Sequence, residues 1–342
     1  MQYRSLGRTG VQVSPLCLGT MNFGERTEEA ECHKIVDAAL DAGINFIDTA
    51  DCYAGGKSEE VLGRAFKANG KRSRIVLASK VHVSMDDSDP NACGNHRRHV
   101  IEGCHASLQR LETDYLDLLY IHRPSTQTPI DETLRALDDL VRSGKVRYIG
   151  TSDFAAWKIM ESLWVSKEYG LDRFVVEQSA YHLLDRRAER ELLPMAQTYG
   201  IAVTVWSPLA GGLLTGKYTR GAKSPENARL QKSGDPTGWG DFHFVDPAFD
   251  VVESVVSLAR EKGCTPAQLS LAWLAQQAGI TASVLGPRTL EQFQELLGAL
   301  QVSFTAEDFA CLDQIAPPGR ATVPCYYLGD SYADLRPNRF RW

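Results

Sequence analysis

Eight short apolar runs recur along this chain, and amphipathic stretches of helical period separate them. The strand-like runs cover residues 16–18, 45–48, 75–80, 115–122, 146–149, 174–177, 202–206 and 283–285. The helical patterns cover 28–42, 58–67, 97–111, 131–143, 154–169, 188–199 and 250–278, the last broken at Gly263-Cys264-Thr265. Gly43, Gly144, Gly170, Gly200 and Gly279 fall just past those helices, where a left-handed C-cap favours glycine. Strands buried on both faces and alternating with helices fit few architectures, and eight such units predict an α/β fold, a (β/α)8 TIM barrel. A short N-terminal β-hairpin turning at Gly7-Arg8-Thr9-Gly10 precedes it. No repeat, low-complexity tract or linker divides the chain, so 1–342 reads as a single domain. Residues 219–247, after strand 7 of the barrel, are rich in Gly, Pro, Asp and Ser and lack periodicity. A long loop in a compact domain is usually functional, and this one is expected to cover a cofactor or substrate.

Three of the runs end on an ionisable residue: Asp48, Lys80 and His122. Each charge at the end of a buried strand needs a partner once water is removed, so the three are expected to share one site. In a (β/α)8 barrel the chemistry sits at the C-terminal ends of the strands, where all three fall. Tyr53, in Asp48-Thr49-Ala50-Asp51-Cys52-Tyr53, can turn back over the same ends. A phenol is a poor acid or base near neutrality unless a cation stabilises its anion, and Lys80 can be that cation with Asp48 as its counter-ion. His122 can fix the oxygen of a bound carbonyl. No side chain here is an evident nucleophile toward that carbonyl, which leaves hydride from a bound cofactor as the natural candidate. Asp48 and Lys80 as a plain buried pair, with Tyr53 a loop aromatic, is the alternative.

The composition excludes other classes. With 37 Lys+Arg against 43 Asp+Glu the formal charge is -6, so nucleic acid is not expected as a partner. The first residues lack the apolar core of a signal peptide, and no run nears the roughly 20 apolar residues of a membrane span. No membrane association and a cytoplasmic location are expected. Cys93, His96, His99, Cys104 and His105 offer metal ligands at close spacing. Helical period instead puts Cys104 on a core face with Ile101, Leu108 and Leu111, and His99 and His105 on its flanks, so no metal is expected. A metal-dependent barrel hydrolase is also disfavoured, because the strand ends supply Lys and Tyr rather than several His and carboxylates. No heptad or interface signature separates monomer from homo-oligomer.

The chain resembles the aldo-keto reductase family nearly end to end. The likeness is carried by Tyr3-Arg4-Ser5-Leu6-Gly7-Arg8-Thr9-Gly10, Leu18-Gly19-Thr20-Met21-Asn22-Phe23-Gly24, Asp48-Thr49-Ala50-Asp51-Cys52-Tyr53 and Ile149-Gly150-Thr151-Ser152. Trp206-Ser207-Pro208-Leu209 and Gly211-Gly212-Leu213-Leu214-Thr215-Gly216-Lys217-Tyr218 are similar to the family's cofactor loop. The resemblance implies a catalytic tetrad of Asp48, Tyr53, Lys80 and His122, in which Tyr53 protonates a small-molecule aldehyde or ketone. Lys80, paired with Asp48, would lower the tyrosine pKa, and His122 would orient the carbonyl.

It further implies a nicotinamide cofactor with Gly19, Thr20 and Met21 near the ribose, Ser152 and Gln178 on the carboxamide, and Trp206 stacked on the ring. Trp206 as a packing aromatic is the alternative. Backbone amides of the loop from Ser207 to Leu214, in which Pro208, Leu209 and Gly212 lie, with Lys217, would hold the pyrophosphate. Gly286, Arg288, Gln292 and Glu295 match the family's contacts to an adenosine 2'-phosphate, which points to NADPH (NADP), since a guanidinium grips phosphate in a fork. The chain lacks a G-x-G-x-x-G fingerprint, which argues against a Rossmann domain.

Two residues depart from the family: Asp153, where many members have asparagine, and Leu296, where asparagine often touches adenine. Some relatives with this barrel serve as accessory or regulatory subunits that bind the cofactor and turn over slowly, and that reading stays open. The substrate pocket is expected to draw on Asn22, Phe23, Tyr53, His82, His122, Arg123, Trp239, Phe242 and the tail from Tyr326-Tyr327 to Trp342. For His82 a solvated loop histidine is the plainer reading.

Overall fold

The computed structural model describes residues 1–226, 228–230 and 243–323. Eight parallel strands close a barrel: β3 (Leu16–Gly19), β4 (Phe46–Asp48), β5 (Val76–Val81), β6 (Leu116–Ile121), β7 (Val146–Ser152), β8 (Phe174–Ala180), β9 (Ala202–Trp206) and β10 (Ile280–Leu285), with β10 hydrogen-bonded to β3. Helices α1 (Glu29–Asp41), α2 (Lys57–Asn69), α3 (Arg97–Arg110), α4 (Ile130–Arg142), α5 (Ala156–Tyr169) and α6 (Leu192–Tyr199) fill the successive crossovers. Between β9 and β10 lie α7 (Asp246–Glu261) and α8 (Pro266–Ala275), followed after the barrel by α9 (Leu290–Leu297) and α10 (Ala306–Ile315).

The expected (β/α)8 architecture is therefore present, with its hairpin. The differences lie at element edges. The expected helix at 154 starts later, because buried Phe154 donates its N–H to Glu177 Oε1 at 3.2 Å and Ala155, the N-cap, is in extended backbone. The stretch from 188 divides into a 3₁₀ turn, Arg187–Glu189, and α6. His99, expected on a helix flank, is buried on α3 together with Cys104.

The hairpin strands β1 (Arg4–Ser5) and β2 (Gln12–Val13) lie at the opposite end of the barrel from its functional mouth. Leu6 and Val13 are fully buried against Cys17, Phe46, Ala78, Leu118, Val175 and Ala202. Burying side chains of this size is worth about 1.5–3 kcal/mol each, so the hairpin stabilises the barrel floor as well as closing it. Its turn needs glycine: Gly7 has φ +60°, and a Cβ there would lie 2.6 Å from Gly200 O and 2.8 Å from both Ala202 N and Val175 O. Replacing Gly7 with alanine is expected to destabilise the fold by at least ~2 kcal/mol, read as a lower chemical-denaturation midpoint.

Glu177 on β8 is fully buried and ties β7 to the loop that follows it. Its carboxyl accepts from Thr151 Oγ1 at 2.5 Å, Ser179 Oγ at 2.7 Å and the Phe154 amide. Burial pushes its pKa up to about 8, against the pull of the Thr151 and Ser179 hydroxyls. From the ordinary carboxyl range up to about 8 the folded protein holds a proton that the unfolded chain has released, so stability falls as pH rises through that window. Glu177→Gln cannot ionise. The natural protein should therefore lose more stability than this variant between pH about 5 and about 8, and equal losses in urea titrations would refute the assignment.

Candidate active site

The sequence places Asp48 as the last residue of β4, Lys80 near the end of β5 and His122 one residue past β6, so all three reach the same mouth. Tyr53 joins them from the β4–α2 connection. It opens a 3₁₀ turn, Tyr53–Gly56, whose next three residues have positive φ (51°, 63° and 94°), which folds the chain back over the barrel.

Lys80 is the hub. Its Nζ donates to Asp48 Oδ1, to the Thr49 carbonyl at 2.9 Å and to the Tyr53 hydroxyl at 3.2 Å. Lys80 and Asp48 are each only 1% exposed. Asp48 Oδ2 accepts from Gln178 Nε2 at 2.8 Å, which links β4 to β8 across the mouth. Burial alone would disfavour the ammonium, but Asp48 and Tyr53 outweigh it and hold Lys80 above the usual lysine range. The Tyr53 phenol is pushed up by burial. Lys80 acts in the lowering direction, as expected, yet does not overcome that burial, so the phenol keeps its proton at neutral pH. His122 is held well below its ordinary pKa by burial and by Lys80 and Arg123, so it stays a neutral imidazole. Its ring stands edge-on to Tyr53 with centroids 6.0 Å apart.

A groove of about 760 Å³ runs from this cluster across the barrel mouth. Gly19, Thr20, Met21, Asp48, Tyr53, His122, Ser152, Gln178, Trp206, Ser207, Pro208, Leu209, Gly212, Lys217, Gly286, Arg288, Gln292 and Glu295 all line it. Lys80 lies beneath the surface and reaches the groove through Asp48 and Tyr53. Leu214 is buried in the core, and its amide donates to Leu209 O at 3.2 Å. The amides of Ala210 and Gly212 likewise donate within the loop, to Ser207 O and Leu209 O. Gly211 and Gly212, with φ of 65° and 94°, turn the loop so that Lys217 Nζ would be 2.9 Å from a Cβ on Gly212.

Lys217 and Arg288 share the far end of the groove with Arg229, and burial followed by the repulsion of Arg288 and Arg229 lowers the Lys217 pKa. Arg229 was not singled out by sequence, because the stretch around it has no periodicity; only its charge within the loop after β9 marked it. Thr289 caps α9 by accepting from the Gln292 amide at 3.2 Å, and Gln292 Oε1 accepts from the Arg288 amide at 2.9 Å. Those contacts hold the segment that presents Arg288.

Asp153 has φ 57° and faces the groove; it pairs with Arg123 and accepts from Trp206 Nε1 at 2.9 Å. The departure from asparagine thus anchors Trp206 through a carboxylate that a guanidinium partly neutralises. Leu296, the other departure, lies buried at the groove wall. Asn22 and Arg123 line the groove as expected. Phe23 does not: it packs in the core between barrel and helices. His82 turns to Asn95 Oδ1 at 2.7 Å. Trp239, Phe242 and the tail from Tyr326 lie outside the described residues, as does much of the loop after β9. Among the described residues no helix is long and apolar enough to cross a membrane.

A model of the Aldo/keto reductase family matches residues 15–317. An uncharacterized oxidoreductase of Bacillus subtilis, YrpG, is 40% identical over 341 residues, covering 95% of this chain and 99% of its own. Probable voltage-gated potassium channel subunits beta from Oryza sativa and Arabidopsis thaliana are 37% and 38% identical over 305 residues, covering 88% of this chain and 92% of theirs. With likeness running across the whole closed barrel, the chain belongs to the aldo/keto reductase family and is an NAD(P)H-dependent oxidoreductase.

Proposed function

We propose that the protein reduces aldehyde or ketone carbonyls to alcohols with NADPH, and that Tyr53 donates the proton. The observation that carries this is the contact of Lys80 Nζ with both Asp48 and the Tyr53 hydroxyl, beside a neutral His122. The groove fits a nicotinamide dinucleotide: its far end gathers Lys217, Arg229 and Arg288, a donor set suited to phosphates, and its near end carries Ser152, Gln178 and Trp206. When bound, that cofactor supplies the hydride.

The chain's own residues do the rest. Tyr53 holds a proton at its hydroxyl, and the fixed ammonium of Lys80 stabilises the phenolate left after transfer. Asp48 keeps Lys80 charged and in place. A neutral imidazole can donate one hydrogen bond to the carbonyl oxygen without competing for the proton. Tyr53→Phe keeps the ring and removes the acid. It is expected to lower kcat for NADPH-linked carbonyl reduction at least ~100-fold while cofactor binding persists, and unimpaired reduction would sink the role given to Tyr53.

Arg288 supports the choice of NADPH. Its replacement by alanine should weaken NADPH binding about 10–100-fold, the equivalent of a charge-assisted contact, and leave NADH little changed. Fluorescence titration with both cofactors is the check; equal losses for the two would locate the preference elsewhere. The likeness to plant proteins named as channel subunits supports a second reading, a cofactor-binding accessory subunit with slow turnover. Sustained oxidation of NADPH by simple aldehydes favours the enzyme, whereas tight cofactor binding with negligible turnover favours the accessory role.

A further inference from the structure

Two residues beside the tetrad have no part in the reduction just described. Asp51 is 1% exposed, and neither of its carboxylate oxygens meets a hydrogen-bond donor in bonding geometry. Cys52, a free thiol, lines the groove and places its Sγ 3.8 Å from His122 Nδ1. One ligand atom from each of Asp51, Cys52 and His122 falls within 4.8 Å of the others.

A buried carboxylate without donors is costly unless something else satisfies it. Burial and Glu59 push its pKa up to about 7, and the Cys52 amide, Arg110 and Lys80 favour its charged form only in part. Glu59 is engaged by Arg110 and by the Ser79 hydroxyl, and the Lys80 ammonium is held by Asp48, Thr49 and Tyr53. An oxygen, a sulfur and an imidazole nitrogen together form the donor set of zinc and its thiophilic neighbours rather than of magnesium or calcium, which take oxygens.

The spacing agrees with that class. Zinc bonds of about 2.3 Å to sulfur and about 2.0 Å to nitrogen, opened at a tetrahedral angle, set the two atoms about 3.5 Å apart, close to the 3.8 Å seen here. An Asp51 oxygen needs to move in by up to roughly 1.5 Å, since all three edges of such a tetrahedron are of similar length. Three protein ligands leave a fourth position, and Cys52 and His122 both border the groove.

We propose that Asp51, Cys52 and His122 form an inhibitory site for a zinc-class divalent cation, bound through His122 Nδ1, which occupies the groove beside Cys52 and His122 and so competes with the carbonyl substrate. The Cys52 thiol gives its proton to solvent as the sulfur–metal bond forms, and no other bond changes. The site itself stands on geometry, and its effect on turnover rests on the carbonyl reduction proposed above.

Cobalt(II) serves as the probe, added to the full chain with the exposed Cys93 and Cys311 replaced by serine. The expected result is one equivalent of cobalt with a thiolate-to-metal charge-transfer band, absent in Cys52→Ala. Zinc affinity in Asp51→Asn should fall at least about 10-fold, as for loss of a group that holds or orients a metal ligand. Zinc should inhibit carbonyl reduction competitively with the carbonyl and not with NADPH. Circular dichroism establishes that each variant is folded. A charge-transfer band that survives in Cys52→Ala overturns the site, and bound zinc with undiminished reduction overturns its inhibitory effect. Failure of Tyr53→Phe to slow reduction would instead strike the proposed function and leave the cobalt spectrum untouched.

Discussion

The mouth of this barrel depends on one buried ion pair, Lys80 with Asp48. Each ion taken from water costs several kcal/mol, and mutual attraction offsets that cost only when the remaining protons and lone pairs are satisfied. They are satisfied here: the Thr49 carbonyl and Tyr53 hydroxyl take the other donors of Lys80, and Gln178 donates to the second oxygen of Asp48. The pair therefore does more than survive burial. It joins β4, β5 and β8 at one level and fixes the hydroxyl of Tyr53 at a defined distance from a permanent cation.

Conformational strain gathers around the same groove. Five non-glycine residues among those described have positive φ: Ala54, Glu112, Asp153, Ser207 and Ala210. Ala54 follows Tyr53, Asp153 and Ser207 line the groove, and Ala210 sits in the loop between Leu209 and Gly211. Each such residue costs on the order of 1–3 kcal/mol, which persists only where surrounding contacts over-determine the backbone. For Asp153 those contacts are visible, as Arg123 and Trp206 hold its carboxylate from two sides. The barrel supplies the stiffness that lets its rim adopt conformations a free loop would avoid.

Much of this was legible in the chain. The strands of a parallel barrel are buried on both faces, so their apolar runs stand out, and the helices between them show a second period. An ionisable residue at the end of such a run is conspicuous because it has few places to go. Other features leave no periodic trace. Arg229 reaches the cationic end of the groove from a stretch whose sequence has no periodicity. Phe23, which a motif reading puts in the pocket, turns into the core instead, since an aromatic ring buries as readily inward as toward a cleft. The late start of α5 follows from Glu177 claiming the amide of Phe154, a contact across 23 residues that no local pattern encodes.

The sequence by itself determined the class of fold and the strand ends that carry charge, Asp48, Lys80 and His122, because hydrophobic period and the cost of burying charge are local properties. Tertiary structure alone decided the protonation states and the partners. Burial holds Tyr53 protonated and His122 neutral, Asp153 is committed to Arg123 and Trp206, and the buried Asp51 is brought beside Cys52 and His122. Those outcomes depend on which groups face one another once water is excluded, and closure of the barrel sets that, bringing together residues as far apart in the chain as Asp48 and Gln178.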